Sequence, residues 1–206
     1  MLDRVLNDRL QRPLQALARW LAGQGVRADH LTWAGFAVGL LAVPLIASGH
    51  PRWALLAMAL NRLADGLDGT LARLTAPTDR GAFLDITLDF LFYASIPLAF
   101  ALANPAANGL AAAVLLFSFM GTASRFLGFA VLAAPRGLTS TAYPRQGFYY
   151  LGGLTEATET LAVFTLMCLV PAWFAPLALG FAALCALTTV TRVAAGWQAF
   201  GPGEGG

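Results

Sequence analysis

Six apolar stretches, at approximately 31–49, 53–73, 81–103, 108–134, 147–170 and 173–196, take up most of this 206-residue chain, and the connections between them are short. A helix needs roughly 20 apolar residues to cross a bilayer, so each stretch is long enough for one span and no length remains for a separate soluble domain. With 58% hydrophobic and only 12% charged residues, the chain cannot cover itself with a water-facing surface. The sequence predicts an all-α integral membrane fold: six transmembrane helices in a single domain over residues 1–200, then a flexible Gly-rich tail over 201–206. Residues 1–24 are expected to form an amphipathic interfacial helix. Leu2, Val5, Leu6, Leu10, Leu14, Leu17 and Leu21 recur at helical spacing, with Asp3, Arg4, Asp8, Arg9, Arg12 and Arg19 on the other face. An amphipathic helix packed on protein is the alternative for part of that length, and Pro13 should bend or split it. The apolar residues there are too dispersed for a secretory signal.

The 13 basic residues are all arginines, scattered singly, and the net charge is only +2, so nothing points to nucleic acid. A cytoplasmic N-terminus would put Arg4, Arg9, Arg12, Arg19, Arg27, Arg73, Arg80, Arg136, Arg145 and Arg192 on the cytoplasmic side and leave only Arg52 in the outer connections. The positive-inside rule then predicts that orientation, in a bacterial inner membrane. Cys168 and Cys185 lie inside apolar stretches without metal-site spacing and read as small core residues. His30 and His50, beside Asp29 and Pro51, read as interfacial, and most of the five tryptophans fall near span ends, as an aromatic belt does.

The second and third spans hold Asp65, Asp68, Asp85 and Asp89. An aspartate at a span centre costs about 2.5–3.5 kcal/mol to insert, so four cost on the order of 10 kcal/mol unless paired or ligated. Asp65 and Asp68 are three residues apart and Asp85 and Asp89 four apart, so each pair shares a helix face. At about 1.5 Å per residue, Asp65 and Asp89 lie some 12 Å from the 74–80 loop on either side of the hairpin, and Asp68 and Asp85 pair at a shallower level. Four converging carboxylates would repel one another unless divalent cations sat among them, and hard oxygen ligands select Mg²⁺, Mn²⁺ or Ca²⁺. Gly66, Gly69, Ala72 and Gly81 alternate with the acids and leave backbone open to a bulky ligand such as a nucleotide. Close helix packing is the alternative use of such residues. Arg62, deeper in the second span, reads as a structural partner for one of the acids.

The run DGLDGTLAR at 65–73, seven further residues, and GAFLDITLD at 81–89 together resemble the signature of the CDP-alcohol phosphotransferase family. That signature is D-x2-D-G-x2-A-R, a spacer of usually eight or nine residues, and G-x3-D-x3-D; the spacer here is one residue shorter. The RADHLT run at 27–32 loosely resembles the P-N-x-x-T that often precedes the family's first span. The resemblance implies two divalent ions, Mg²⁺ or Mn²⁺, held by Asp65, Asp68, Asp85 and Asp89 and bridged by a CDP pyrophosphate. It also implies a nucleotide pocket lined by Gly69, Ala72, Arg73 and Gly81, to which Gly66 is added here as a nucleotide-binding residue, Asp89 as the base that deprotonates an acceptor alcohol, and a homodimer. The implied reaction moves a phosphatidyl group from CDP-diacylglycerol to a small polar alcohol and releases CMP.

Arg125 in the fourth span and Glu156 and Glu159 in the fifth are the other intramembrane charges, and Arg125 and Glu156 lie at about the depth of the aspartates. Arg125 with Arg136 and Arg145 could hold an acceptor phosphate, as in glycerol 3-phosphate or inositol phosphate. Glu156 and Glu159 could instead hold an amino group or polyol hydroxyls, as in serine or inositol, or one glutamate could simply neutralise Arg125. Two alternatives stand beside this reading: transfer of phosphocholine or phosphoethanolamine from a CDP-amino-alcohol to diacylglycerol, and a small cation transporter. The transporter fits less well, because the first and last spans carry no charge at mid-depth to continue a path.

Overall fold

The computed structural model describes the backbone of residues 2–133 and 157–199, and the side chains of 13–132 and 157–198. The described residues are helical apart from short turns. The helices are α1 (Leu2–Gly23), α2 (Ala28–Leu40), α3 (Ala42–Ala47), α4 (Pro51–Leu74), α5 (Asp79–Ala103), α6 (Pro105–Ala133), α7 (Ala157–Leu169) and α8 (Phe174–Ala199), with a 3₁₀ turn over Pro171–Trp173 before the last. Four segments, Ala28–Ala47, Asp79–Ala103, Pro105–Leu132 and Pro171–Gln198, are long and apolar enough to cross a membrane. The helix Pro51–Leu74 has the length, but its own charges, among them Arg62, Asp65, Asp68 and Arg73, make it too polar to count with them. Of the expected fifth span, 157–169 is described and apolar, whereas 147–156 and the tail lie outside the described residues.

The turns follow from residues that suit them. Gly25, at φ 74°, separates α1 from α2, and Gly49, at φ 83°, separates α3 from α4, where Pro51 opens the helix without wasting a donor. Asn104 accepts from Ala107 N at 3.1 Å, which caps the start of α6. The N-terminal helix is not split at Pro13, because a proline removes one ladder bond and its neighbours maintain the rest. The first expected span, 31–49, falls on the segment Ala28–Ala47, which carries one irregular turn at Leu41. Pro44 has no N–H for the Leu40 carbonyl, and Leu41 N donates to Val38 O at 3.1 Å.

The core lies between α3, α4, α5, α6, α7 and α8. Phe92, Phe100, Phe164 and Phe174 are fully buried, and Phe100 stacks on Phe174 with ring centroids 4.5 Å apart. Cys168 and Cys185 are buried and unpaired in this core, as expected. The outer faces carry large apolar side chains, with Phe117 79% and Val131 70% exposed, a surface suited to lipid and not to water. Leu14, Ala18 and Leu21 of α1 pack on Leu67 and Leu71 of α4, so this part of the amphipathic helix rests on protein. Helices α1 and α2 pack on α4, and side chains of α5 reach the polar end of α4.

Candidate active site

The i, i+3 spacing on α4 turns Asp65 and Asp68 to one face, and α5 brings Asp85 against them. One carboxylate oxygen from each of these three residues lies within 4.8 Å of the others. A six-coordinate Mg²⁺ holds opposite oxygens about 4.2 Å apart and Ca²⁺ about 4.8 Å, so the trio has the dimensions of a hard-cation site. Asp68 is only 4% exposed, and its Oδ2 is buried without a hydrogen-bond partner, an arrangement that a cation would complete. A gap of about 10 Å³, room for one water- or ion-sized sphere, lies between these acids, Asp89, Arg62 and Thr32. The residues present therefore fit a divalent cation.

Asp89, the expected fourth ligand, lines the same gap and is paired there with a cation of the protein's own. Its Oδ1 lies 2.7 Å from Arg62 Nη1, whose distance to Asp65 Oδ2 is 3.5 Å. The reading of Arg62 as partner to an acid holds, and its guanidinium is itself tightly held. Arg62 Nε and Nη2 donate to Asn61 Oδ1 at 2.9 and 2.7 Å, and Nη1 donates to Tyr93 Oη at 3.3 Å. Its Cζ lies 4.7 Å from the centroid of Phe92 and 5.2 Å from that of Tyr93.

Beside the trio opens a cavity of about 580 Å³, within the size range of small-molecule sites. Asp68, Asp85, Gly69, Ala72, Arg73 and Gly81 line it, so most of the residues expected around a nucleotide share one wall. Gly66 is not among them: a Cβ there would sit 3.5 Å from Leu14 Cδ1, so Gly66 faces α1. Gly81 is set by the start of α5, where its N–H donates to the Thr78 hydroxyl at 3.0 Å. A Cβ on it would stand 3.1 Å from Thr78 Oγ1 and 3.5 Å from Asp29 Oδ1. Arg73 Nη2 donates to Thr70 Oγ1 at 3.2 Å, and a Cβ on Gly69 would be in contact with its guanidinium.

The opposite wall comes from residues that sequence reasoning passed over. Asp29 and Thr32 of α2 line the cavity, and Asp29 pairs with Arg27 at 3.5 Å and with Arg80 at the start of α5. The one signal was the RADHLT run, which contains both residues.

The acceptor-side residues are less gathered. Arg136, Arg145 and Glu156 lie outside the described residues. Among the described residues, Arg125 of α6 has a buried Nε without a hydrogen-bond partner, with Arg192 of α8 the charged side chain bearing on it. Glu159 of α7 also has a buried oxygen, Oε2, without a hydrogen-bond partner among the described residues. Arg125 and Glu159 form no ion pair with each other.

The profile of the CDP-alcohol phosphatidyltransferase family matches residues 26–197. The chain belongs to this family. It is thus a transferase of substituted phosphate groups, which sets aside the transporter alternative. It is 53% identical over 197 residues to the inner membrane protein YnjF of Escherichia coli, covering 96% of each chain. It is 32% identical over 126 residues to the archaetidylinositol phosphate synthase of Pyrococcus horikoshii, covering 61% of this chain and 66% of that one. The fold matches the crystal structure of Mycobacterium tuberculosis phosphatidylinositol phosphate synthase with CDP-DAG bound. The TM-score is 0.74 at 21% identity, over 93% of this chain and 96% of that one. Like its apolar helices, the likeness to an inner membrane protein marks the chain as an integral membrane protein.

Proposed function

We propose that this transferase moves a phosphatidyl group from CDP-diacylglycerol to a small polar alcohol of the glycerol 3-phosphate, inositol, inositol phosphate or serine type, with release of CMP. The observation that carries this is the acid trio opening onto the 580 Å³ cavity lined by Gly69, Ala72, Arg73 and Gly81. In this reading Asp65, Asp68 and Asp85 hold two divalent ions, Mg²⁺ or Mn²⁺, the number that the family resemblance implies. Bound divalent ions supply charge neutralisation at the phosphorus under attack and on the departing CMP. The cavity walls, with Arg73 among them, hold the CDP moiety. Asp89 takes the proton from the acceptor hydroxyl as its oxygen bonds to the lipid-bearing phosphorus, and the bond from that phosphorus to CMP breaks. Either Arg125 with Arg136 and Arg145, or Glu156 with Glu159, selects the acceptor.

The same reading makes residues 1–200 one domain of six spans. The N-terminal helix lies at the interface where α1 is not packed on α4, the site opens to the cytoplasm, and two copies form a homodimer. A site about 12 Å inside the cytoplasmic end admits a soluble alcohol from one side and a lipid from the other. The test is reconstitution of the purified protein with labelled CDP-diacylglycerol and Mn²⁺, offering each acceptor in turn. CMP release with one acceptor supports the reading and names the alcohol. Release only from a CDP-amino-alcohol with diacylglycerol replaces it.

A further inference from the structure

Three residues before Asp65, and so outside the 65–89 signature, Arg62 places a half-buried positive charge between acids on two helices. We infer that Arg62 is the positioning residue for Asp89: it keeps this carboxylate out of the metal-ligand set and divides the four aspartates into a cation-holding trio and one acid reserved for proton transfer. The inference rests on the proposed function for what Asp89 does, but its geometry stands on its own.

The guanidinium has little freedom. Two of its nitrogens fork onto Asn61 Oδ1, and Asn61 Nδ2 in turn donates to Gly35 O of α2 at 3.0 Å. Phe92 and Tyr93 lie against its faces. The third nitrogen, Nη1, donates to Tyr93 Oη and is thereby held 2.7 Å from Asp89 Oδ1, a close ion pair. Asp65, at 3.5 Å, is held less closely and shares its other surroundings with Asp68 and Asp85. A divalent cation and a guanidinium repel, so a cation sits best with the three acids away from Nη1, and Asp89 stays with the arginine. A lysine could carry the charge but not the fork to Asn61.

A merely structural arginine and a positioning arginine predict different outcomes. Loss of a structural residue weakens every property of the site together. Loss of the positioning residue removes a positive charge beside the trio, so cation affinity holds or rises while turnover falls. The experiment titrates Mn²⁺ into the purified full-length protein by electron paramagnetic resonance and measures CMP release in parallel. The variants are Arg62→Met, Arg62→Lys, Asp89→Asn, Asp68→Asn and the Arg62→Met, Asp89→Asn pair. Asp68→Asn is expected to weaken Mn²⁺ binding roughly tenfold or more, and Asp89→Asn by no more than about threefold. Arg62→Met should bind Mn²⁺ at least as tightly as the natural chain and lose about 30-fold or more in kcat, with KM for CDP-lipid changed by less than about threefold. Arg62→Lys should fall between. Because Arg62 acts through Asp89, the double variant should be no slower than Asp89→Asn alone.

Equal loss of Mn²⁺ in Asp89→Asn and Asp68→Asn overturns the inference, because Asp89 is then a ligand like the others. Multiplying kcat losses in the double variant overturn it too. The Mn²⁺ comparison needs no turnover, so it decides the division of the acids even if the natural chain releases no CMP and the proposed function fails. It also needs only the two aspartate variants, should Arg62→Met not fold.

Discussion

Gly35→Ala tests how the site is built, because Gly35 is where α2 meets the acid-bearing helix most closely. A Cβ at Gly35 would lie 2.5 Å from Ala64 Cβ and 3.7 Å from Asn61 O. Carbon atoms in contact sit about 3.5–4.0 Å apart, so the helices must separate by roughly 1 Å or more, and Ala64 has no rotamer through which to yield. Overpacking of this kind costs about 1–3 kcal/mol, against up to about 1 kcal/mol regained from alanine's helix propensity. A 2.5 Å approach to a side chain that cannot yield puts the cost in the upper part of that range, about 2–3 kcal/mol, and the net loss of about 1–2 kcal/mol corresponds to a fall of roughly 2–8 °C in Tm for a chain of this size. Separation would also break the Asn61–Gly35 hydrogen bond that anchors the Arg62 fork, so turnover should fall with Tm. The assay is thermal unfolding in detergent alongside CMP release. Gly180→Ala, whose new Cβ meets nothing within 4 Å, serves as the control and should hold or raise Tm. A Gly35→Ala protein with natural Tm and turnover, or a Gly180→Ala protein equally destabilised, would refute the close-approach argument.

Asp89→Asn should fold, bind CDP-lipid and lose about 10²–10⁴-fold in turnover, as expected when a general base is removed; full CMP release from this variant would sink that assignment. Thr78→Ala removes the cap that receives Gly81 N–H and should cost about 1 kcal/mol. Because Gly81 lines the cavity, its kinetic effect should appear in KM for CDP-lipid more than in kcat, and the reverse split would separate the cap from the nucleotide wall.

The acid trio was legible in the sequence because it depends on local geometry: three-residue spacing on one helix, a short turn, and one acid on the returning helix. Membrane character was legible for a similar reason, since apolar length decides it. The irregular turn at Leu41 could have been read from Pro44, whose missing donor acts four residues back. Gly66 could also have been separated from the cavity, because it stands 100° around the helix from Asp65, at the edge of the stripe that holds Asp68, Gly69 and Ala72. The separate standing of Asp89 was less accessible. It depends on Asn61 reaching Gly35 across two helices and on rings from α5 closing over Arg62, and such tertiary contacts leave no periodic trace in one helix. Asp29 entered the cavity wall in the same way, through the docking of α2 against the start of α5.

The central claim is that the trio of Asp65, Asp68 and Asp85 works through a divalent cation in transfer from a CDP-activated lipid. The most direct measurement is CMP release from CDP-diacylglycerol by the purified protein after exhaustive EDTA treatment, and again after Mn²⁺ or Mg²⁺ is restored. The account predicts that release stops in EDTA and returns with the cation in the natural chain, but does not return in Asp68→Asn. CMP release that persists undiminished in EDTA would contradict it.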